Sequence, residues 1–213
     1  METFTIKGVI SAGWNRFKER PWLFVGAMLL TFIIYAVLDI LLASFEDNKD
    51  VVMIVLMNIV SFVVGTFVGL GLIAFALKAE KGVETLSLKD LWAPEHFWRY
   101  LGVTVLVAVI TVLGFILFII PGIVAMVTLL FASYIVVDRG MGPWEAIKES
   151  GRITEGHRWK LLGFVLVLVG LNILGAVALG VGLLVTIPVT MLSMVYTYRI
   201  LGEGAAKTGE STL

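Results

Sequence analysis

No cysteine occurs in the 213-residue chain. Disulfides, thiolate metal sites and a cysteine nucleophile are therefore excluded, while the redox compartment stays open. Two histidines are too few for a metal centre unless several carboxylates stand beside them. Charge is scarce and balanced, sixteen basic residues against sixteen acidic ones, 15% of the chain together. A soluble domain carries about 25% charged residues. Zero net charge gives no pointer to nucleic acid or to an acidic partner. Hydrocarbon, by contrast, is abundant: 59% of residues are hydrophobic and the mean hydropathy is +1.00. Water cannot be the main solvent for that surface, and the chain reads as an all-α polytopic membrane protein.

Crossing ~30 Å of hydrocarbon takes about 20 apolar residues. The first such run is 22–45, interrupted only by Asp39, and the second is 51–77. The third, 101–120, is closed by Pro121-Gly122, and the fourth, 123–137, is short. From 161 to 201 the chain is apolar enough for two more helices, with the turn expected near Gly180 and Gly182. Six spans in three hairpins result. The first run is too long for the apolar region of a cleaved signal peptide and is followed at once by a second span, so it is retained.

Basic residues choose one side. Lys7, Arg16, Lys18 and Arg20 precede the first span, and Lys78, Lys81, Lys89 and Arg99 lie between the second and third. Arg139, Lys148, Arg152, Arg158 and Lys160 lie between the fourth and fifth, and Arg199 and Lys207 follow the sixth. Only Lys49, in the acidic loop Glu46 to Asp50, falls opposite. By the positive-inside rule both termini are cytoplasmic in a cell membrane.

A string recurs where each hairpin begins: Trp22 to Gly26, Trp98 to Gly102 and Trp159 to Gly163. Two residues before each Trp stand Arg20, His96 and His157; twelve before stand Ile10, Leu86 and Ile147. A tryptophan belt at headgroup level would alone place the indoles. The aligned glycines and the hairpin that follows each time favour a threefold repeat over about 1–77, 78–137 and 138–201, with 202–213 as a flexible cytoplasmic tail.

Amphipathic helices are expected before each string. Ile6, Val9, Ile10, Gly13, Trp14 and Phe17 share one helical face, and Pro21 ends that helix. Ser87 and Asp90 have capping-box spacing before a stripe of Leu88, Leu91 and Trp92. Pro143 opens a third helix, with Trp144, Ile147 and Gly151 on one side and Glu145, Lys148, Glu149 and Arg152 on the other. Such helices either lie in the interface as binding elements or serve only as joints that orient the hairpins.

Ile120-Pro121-Gly122, Val137-Asp138, Gly140, Ala146, Ser150, Thr154, Gly156 and Trp159 form one pattern. It resembles the membrane domain that precedes some bacterial glycerophosphodiester phosphodiesterases, and its stand-alone six-pass YciC-like relatives. The resemblance implies a six-pass fold. In those phosphodiesterases the catalytic domain follows; here only residues 202–213 do, so no hydrolase activity is expected.

Within the spans, Asp39 is the clear ionisable group, about 9 Å from the outer end by the helix rise. Asn58 stands at similar depth on the returning helix, so an Asp39–Asn58 hydrogen bond is favoured over a proton- or substrate-linked role. Asn172 suits an interhelical hydrogen bond, and Gly65 and Gly69 close packing inside the bundle, as do Ala176, Gly180 and Gly182. Thr186 or a neighbour is expected to meet the carbonyl freed by Pro188. Arg20, His96, Arg99, His157, Arg158 and Lys160 form a headgroup-level set that either binds lipid phosphates or simply anchors the interface beside Trp22, Trp98 and Trp159. Metallohydrolase, Walker and serine-hydrolase motifs are missing, so no catalytic residue, metal or cofactor is expected. The reading is a non-enzymatic lipid-binding or membrane-organising protein, the alternative a small transporter or permease subunit. Membrane lipids are its expected partners, a second copy or another membrane protein is compatible with it, and nucleic acid is not expected.

Overall fold

The computed structural model describes residues 4–44, 51–178 and 180–210, with side chains to Ala205. The acidic loop Glu46 to Asp50 and the side chain of Lys207 lie outside the described residues. Nine α-helices are described: α1 Ile6–Glu19, α2 Pro21–Ala43, α3 Val51–Lys81, α4 Phe97–Leu117, α5 Ile119–Thr128, α6 Ala132–Arg139, α7 Pro143–Thr154, α8 Arg158–Val177 and α9 Leu183–Glu210. Counting α5 and α6 as one interrupted span, six segments are long and apolar enough to cross a membrane. The segment from residue 202, expected as a tail, continues α9 as far as Glu210.

Helix ends follow local chemistry. Thr5 caps α1, its hydroxyl accepting from the Gly8 N–H at 3.2 Å. Pro21 and Pro143 occupy first-turn positions of α2 and α7, where a missing N–H costs nothing. Pro121 does the same in α5. The turn that was expected at Pro121-Gly122 therefore falls earlier, at the extended residue Phe118. Gly180, at φ +76°, makes the turn of the third hairpin. Glycines close both later hairpins. A Cβ on Gly114 would lie 3.0 Å from Gly122 Cα, and one on Gly175 3.1 Å from the Gly182 carbonyl carbon. Gly175, rather than the exposed Ala176, makes the close contact in the last hairpin.

The expected entry helices differ in size. The first is the full α1, with Val9, Gly13 and Phe17 buried. The second shrinks to 3-10 turns at Leu88–Leu91 and Pro94–His96, the first closed by the Ser87–Asp90 capping box. The third, α7, buries Ala146, Ile147, Ser150, Ile153 and Thr154, so its inner face is rotated from the one expected; Trp144 points outward.

Each entry element lies across the second span of the preceding unit, and the contacts close into a ring. α1 packs along α9, the 3-10 turn at Leu88–Leu91 along α3, and α7 along α6. A small or polar residue sits at every crossing. A Cβ on Gly13 would come 2.6 Å from Ser193 Oγ and 2.8 Å from the Val189 carbonyl. One on Gly71 would meet the Leu91 carbonyl oxygen at 2.0 Å. At the third crossing the span itself is interrupted between α5 and α6. The Ala132 N–H bonds to Leu129 O, releasing Thr128 O, and Ser150 Oγ donates to it at 2.7 Å while accepting from the Phe131 N–H at 3.2 Å. The same ring shows at the recurrent glycines. Gly26 faces Leu88, Gly102 faces Pro143 and Gly163 faces Ile6, each of them the first residue of the next entry element.

Because the atom facing Gly71 is backbone, it cannot rotate away. Gly71→Ala is expected to lower stability by about 1–3 kcal/mol, whereas Gly82→Ala, with nothing within 4 Å, stays near wild type. Thermal unfolding of both variants in one detergent checks this.

Candidate functional site

Trp22, Trp98 and Trp159 are each the second residue of a helix, in α2, α4 and α8, and Arg20, His96 and His157 are the corresponding N-caps. The three indoles are 84%, 79% and 80% exposed. They project from the bundle at the ends where the basic residues gather, as interfacial anchors do.

The six basic candidates divide. Arg20 donates to the carbonyls of Val83, Glu84 and Leu86, holding the loop after α3. Lys160 donates to the Phe4 carbonyl and lies over the Phe4 ring. Arg99 donates to Gly140 O, and His96 stands beside the same glycine, which closes α6 in the left-handed region at φ +62°. Arg20, Arg99 and Lys160 work as ties between units, with His96 packed beside the C-cap of α6. His157 bonds Glu155 O through Nδ1 and is exposed, as is Arg158. Lys7, Lys18, Lys89 and Lys148 are also exposed, and with His157 and Arg158 they make up the open cationic rim.

Inside the spans one expected pair does not form. The Asn58 amide donates to Ile54 O of its own helix at 2.8 Å, and Asp39 and Asn58 are both exposed with no hydrogen bond between them. Asn172 does bridge helices, donating to Thr190 Oγ1 at 3.3 Å. The Thr186 hydroxyl is buried with no hydrogen-bond partner among the described residues, so it does not meet the carbonyl freed by Pro188. Gly65 and Gly69 pack inside the chain, under the hydroxyls of Tyr35 and Tyr100.

Sequence reasoning missed the most connected polar group. Asp138 at the end of α6 accepts two hydrogen bonds from Arg199 of α9, at 2.7 and 2.8 Å, and one from the Tyr198 hydroxyl at 3.0 Å. Arg199 also donates to Glu80 of α3 at 3.2 Å. Glu80, Asp138 and Arg199 come one from each of α3, α6 and α9, so a single guanidinium joins all three second spans. Lys81 stands 3.8 Å from Asp138, and Arg16 of α1 donates to Tyr196 and to Glu80 O. A signal was present: Asp138 and Arg199 each lie forty residues after the tryptophan that opens their hairpin, Trp98 and Trp159. Among the described residues no three carboxylate or imidazole side chains gather as a metal site.

Beside this group, Glu149 of α7 bridges Arg139 and Arg152 at 2.8 and 2.7 Å. The hydrogen bond from Arg152 holds the Glu149 carboxyl below its ordinary value, with burial opposing it and both guanidinium charges reinforcing it. A carboxylate whose folded pKa is depressed adds stability that is complete above its unfolded value and is lost as pH falls through the folded one. The difference in unfolding midpoint between wild type and Glu149→Gln is therefore expected to be flat from neutrality to about pH 5. Below the ordinary value of 4.5 it should close. Melting curves of the two proteins across that range check it.

Helices of this length and hydropathy, and so polar a set of ties at one end, define a multi-pass integral membrane protein. A family model described as "Protein of unknown function (DUF975)" matches residues 115–204. That stretch runs from the end of α4 into α9 and includes Asp138, Ser150 and Arg199. Mycobacterium tuberculosis "Uncharacterized protein Rv2560" and Mycobacterium bovis "Uncharacterized protein Mb2590" are each 24% identical to the chain. Both alignments cover 94% of this chain and 70% of the relative. No solved structure matches it.

Proposed function

We propose that this is a non-enzymatic membrane protein that binds phospholipid headgroups and organises the leaflet around it, with both termini in the cytoplasm. The observation that carries this reading is the repeated rim: three outward tryptophans at equivalent helix starts, interleaved with Lys7, Lys18, Lys89, Lys148, His157 and Arg158. Indoles fix the depth of a helix end, and exposed cations at that depth attract anionic headgroups by about 1 kcal/mol each. The pattern from Ile120 to Trp159 supports assigning the chain to the membrane-domain type of the glycerophosphodiester phosphodiesterases and their YciC-like relatives. A small transporter is the second reading, favoured by the interruption between α5 and α6, since broken helices build substrate sites in transporters. Here Ser150 takes up both backbone groups released by the break, which leaves them unavailable to a substrate and puts the lipid reading first.

Native mass spectrometry of protein released from mixed vesicles is expected to show phosphatidylglycerol retained over phosphatidylcholine. The triple variant Lys18→Gln, Lys148→Gln, Arg158→Gln should lose that preference, and equal retention by the wild type would overturn the reading. Orientation is testable separately because the chain has no cysteine of its own. In intact cells an impermeant maleimide is expected to label Asp47→Cys and spare Glu84→Cys. The reverse pattern would invert the topology.

A further inference from the structure

A cavity of about 190 Å³ opens beside the ion group, lined by Arg139, Tyr198, Arg199, Gly202 and Glu203. Its chemistry is that of two charges of opposite sign facing a shared space. Arg139 spends Nη1 on Glu149 and rests over the Tyr198 ring, leaving Nε and Nη2 without a protein acceptor among the described residues. Arg199 is already matched by Asp138 and Glu80. Across the cavity the exposed Glu203 carboxylate has no cation paired with it among the described residues. Gly202 keeps the floor open, since a Cβ there would sit 3.2 Å from Arg139 Nη2.

We propose that this cavity binds a phosphoester carrying a primary amine, the chemistry of an ethanolamine phospholipid headgroup. The proposal rests on the headgroup reading above and adds a specific site to it. The spare edge of the Arg139 guanidinium presents two N–H donors to phosphate oxygens, the geometry for which arginine is suited. Glu203 accepts from the ammonium. A quaternary amine has no N–H to give, so choline is disfavoured at the same net charge. The volume lies below the roughly 300 Å³ at which pockets begin to take drug-sized ligands. A headgroup is of that scale.

The test titrates the purified full chain in non-ionic detergent with short-chain phosphatidylethanolamine and phosphatidylcholine, reading the first bound adduct by native mass spectrometry. Wild type is expected to bind the ethanolamine lipid about tenfold more tightly, the effect of one charge-assisted contact. Glu203→Gln, an exposed and fold-neutral change, should bring the ratio near one. Arg139→Gln should weaken both lipids, while Arg152 keeps Glu149 paired and the melting temperature reports retained fold. Free phosphoethanolamine that displaces the lipid at similar concentration would identify a soluble ester as occupant, and failure to compete at large excess a membrane lipid. A wild-type ratio near one, or a ratio unmoved by Glu203→Gln, would overturn the proposal. If phosphatidylglycerol is still preferred over phosphatidylcholine in that case, only the cavity assignment falls. If that preference is absent too, the headgroup reading falls with it.

Discussion

Close approach of backbone to backbone, where each entry element crosses the span before it, is the constraint on which the bundle depends. In a bilayer the tails are as apolar as leucine, so helices gain little by hiding apolar side chains from lipid. What remains is dispersion at short range and hydrogen bonding, and both require that no side chain stand between the elements. Gly13 against Ser193 and Gly71 against Leu91 supply that by absence of a Cβ. Ser150 supplies it differently, with a hydroxyl small enough to enter the interruption between α5 and α6 and polar enough to replace the helical hydrogen bonds lost there. Remove any one crossing and the ring opens, because every unit is held by its neighbour on either side.

The ion group acts on the same ring at the water boundary. An Arg199 guanidinium between two carboxylates is not the most stabilising filling for a partly buried site, since desolvation offsets much of the attraction. Three aliphatic side chains would pack as well. They would not distinguish one unit from another, however, and three repeated units with similar spans have more than one way to assemble. A guanidinium that needs both carboxylates favours the assembly in which the basic ends of α3, α6 and α9 meet over one in which any of the three is turned away. Tyr198, buried under the pair and donating to Asp138, fixes the carboxylate's orientation from below.

How much of this could be read from the sequence depended on the range of the interaction. Spans, the Gly180 turn and the Ser87–Asp90 capping box are local, set by hydropathy or by residues three apart, and they appear where expected. The start of α5 was misplaced because a proline early in a helix and a proline after one leave the same trace; only the extended backbone of Phe118 decides between them. The interruption at Leu129–Phe131 contains neither glycine nor proline, so nothing in its own residues announces it. The residue that takes up its released backbone groups, Ser150, lies on another helix. Asp138 and Arg199 were legible only as charges near span ends, and their meeting follows from the ring, which hydropathy does not encode. Arg20, Arg99 and Lys160 were legible as cations at helix starts, but whether such a cation faces lipid or a carbonyl is decided by loops that pattern cannot place.

The first hairpin explains why Asp39 and Asn58 do not pair. α3 has 31 residues, so it is about 46 Å long, against about 30 Å of hydrocarbon. Its basic end is held at the ion group through Glu80, and the excess therefore emerges on the opposite side. Burial agrees: nothing in α2 beyond Thr31, and nothing in α3 before Thr66, is buried. The last two hairpins are pinned at their turns by Gly114 on Gly122 and by Gly175 on Gly182, whereas the outer halves of α2 and α3 show no such contact. Asn58 lies within two turns of the projecting end of α3, and Asp39 within two turns of the end of α2, and both are exposed on the surface of the bundle. A carboxylate deep in the bilayer would need a partner from its own fold. One near the end of its helix is close enough to the boundary to be solvated from outside the bundle, and the outer ends of α2 and α3, which bury nothing, offer it no partner of their own.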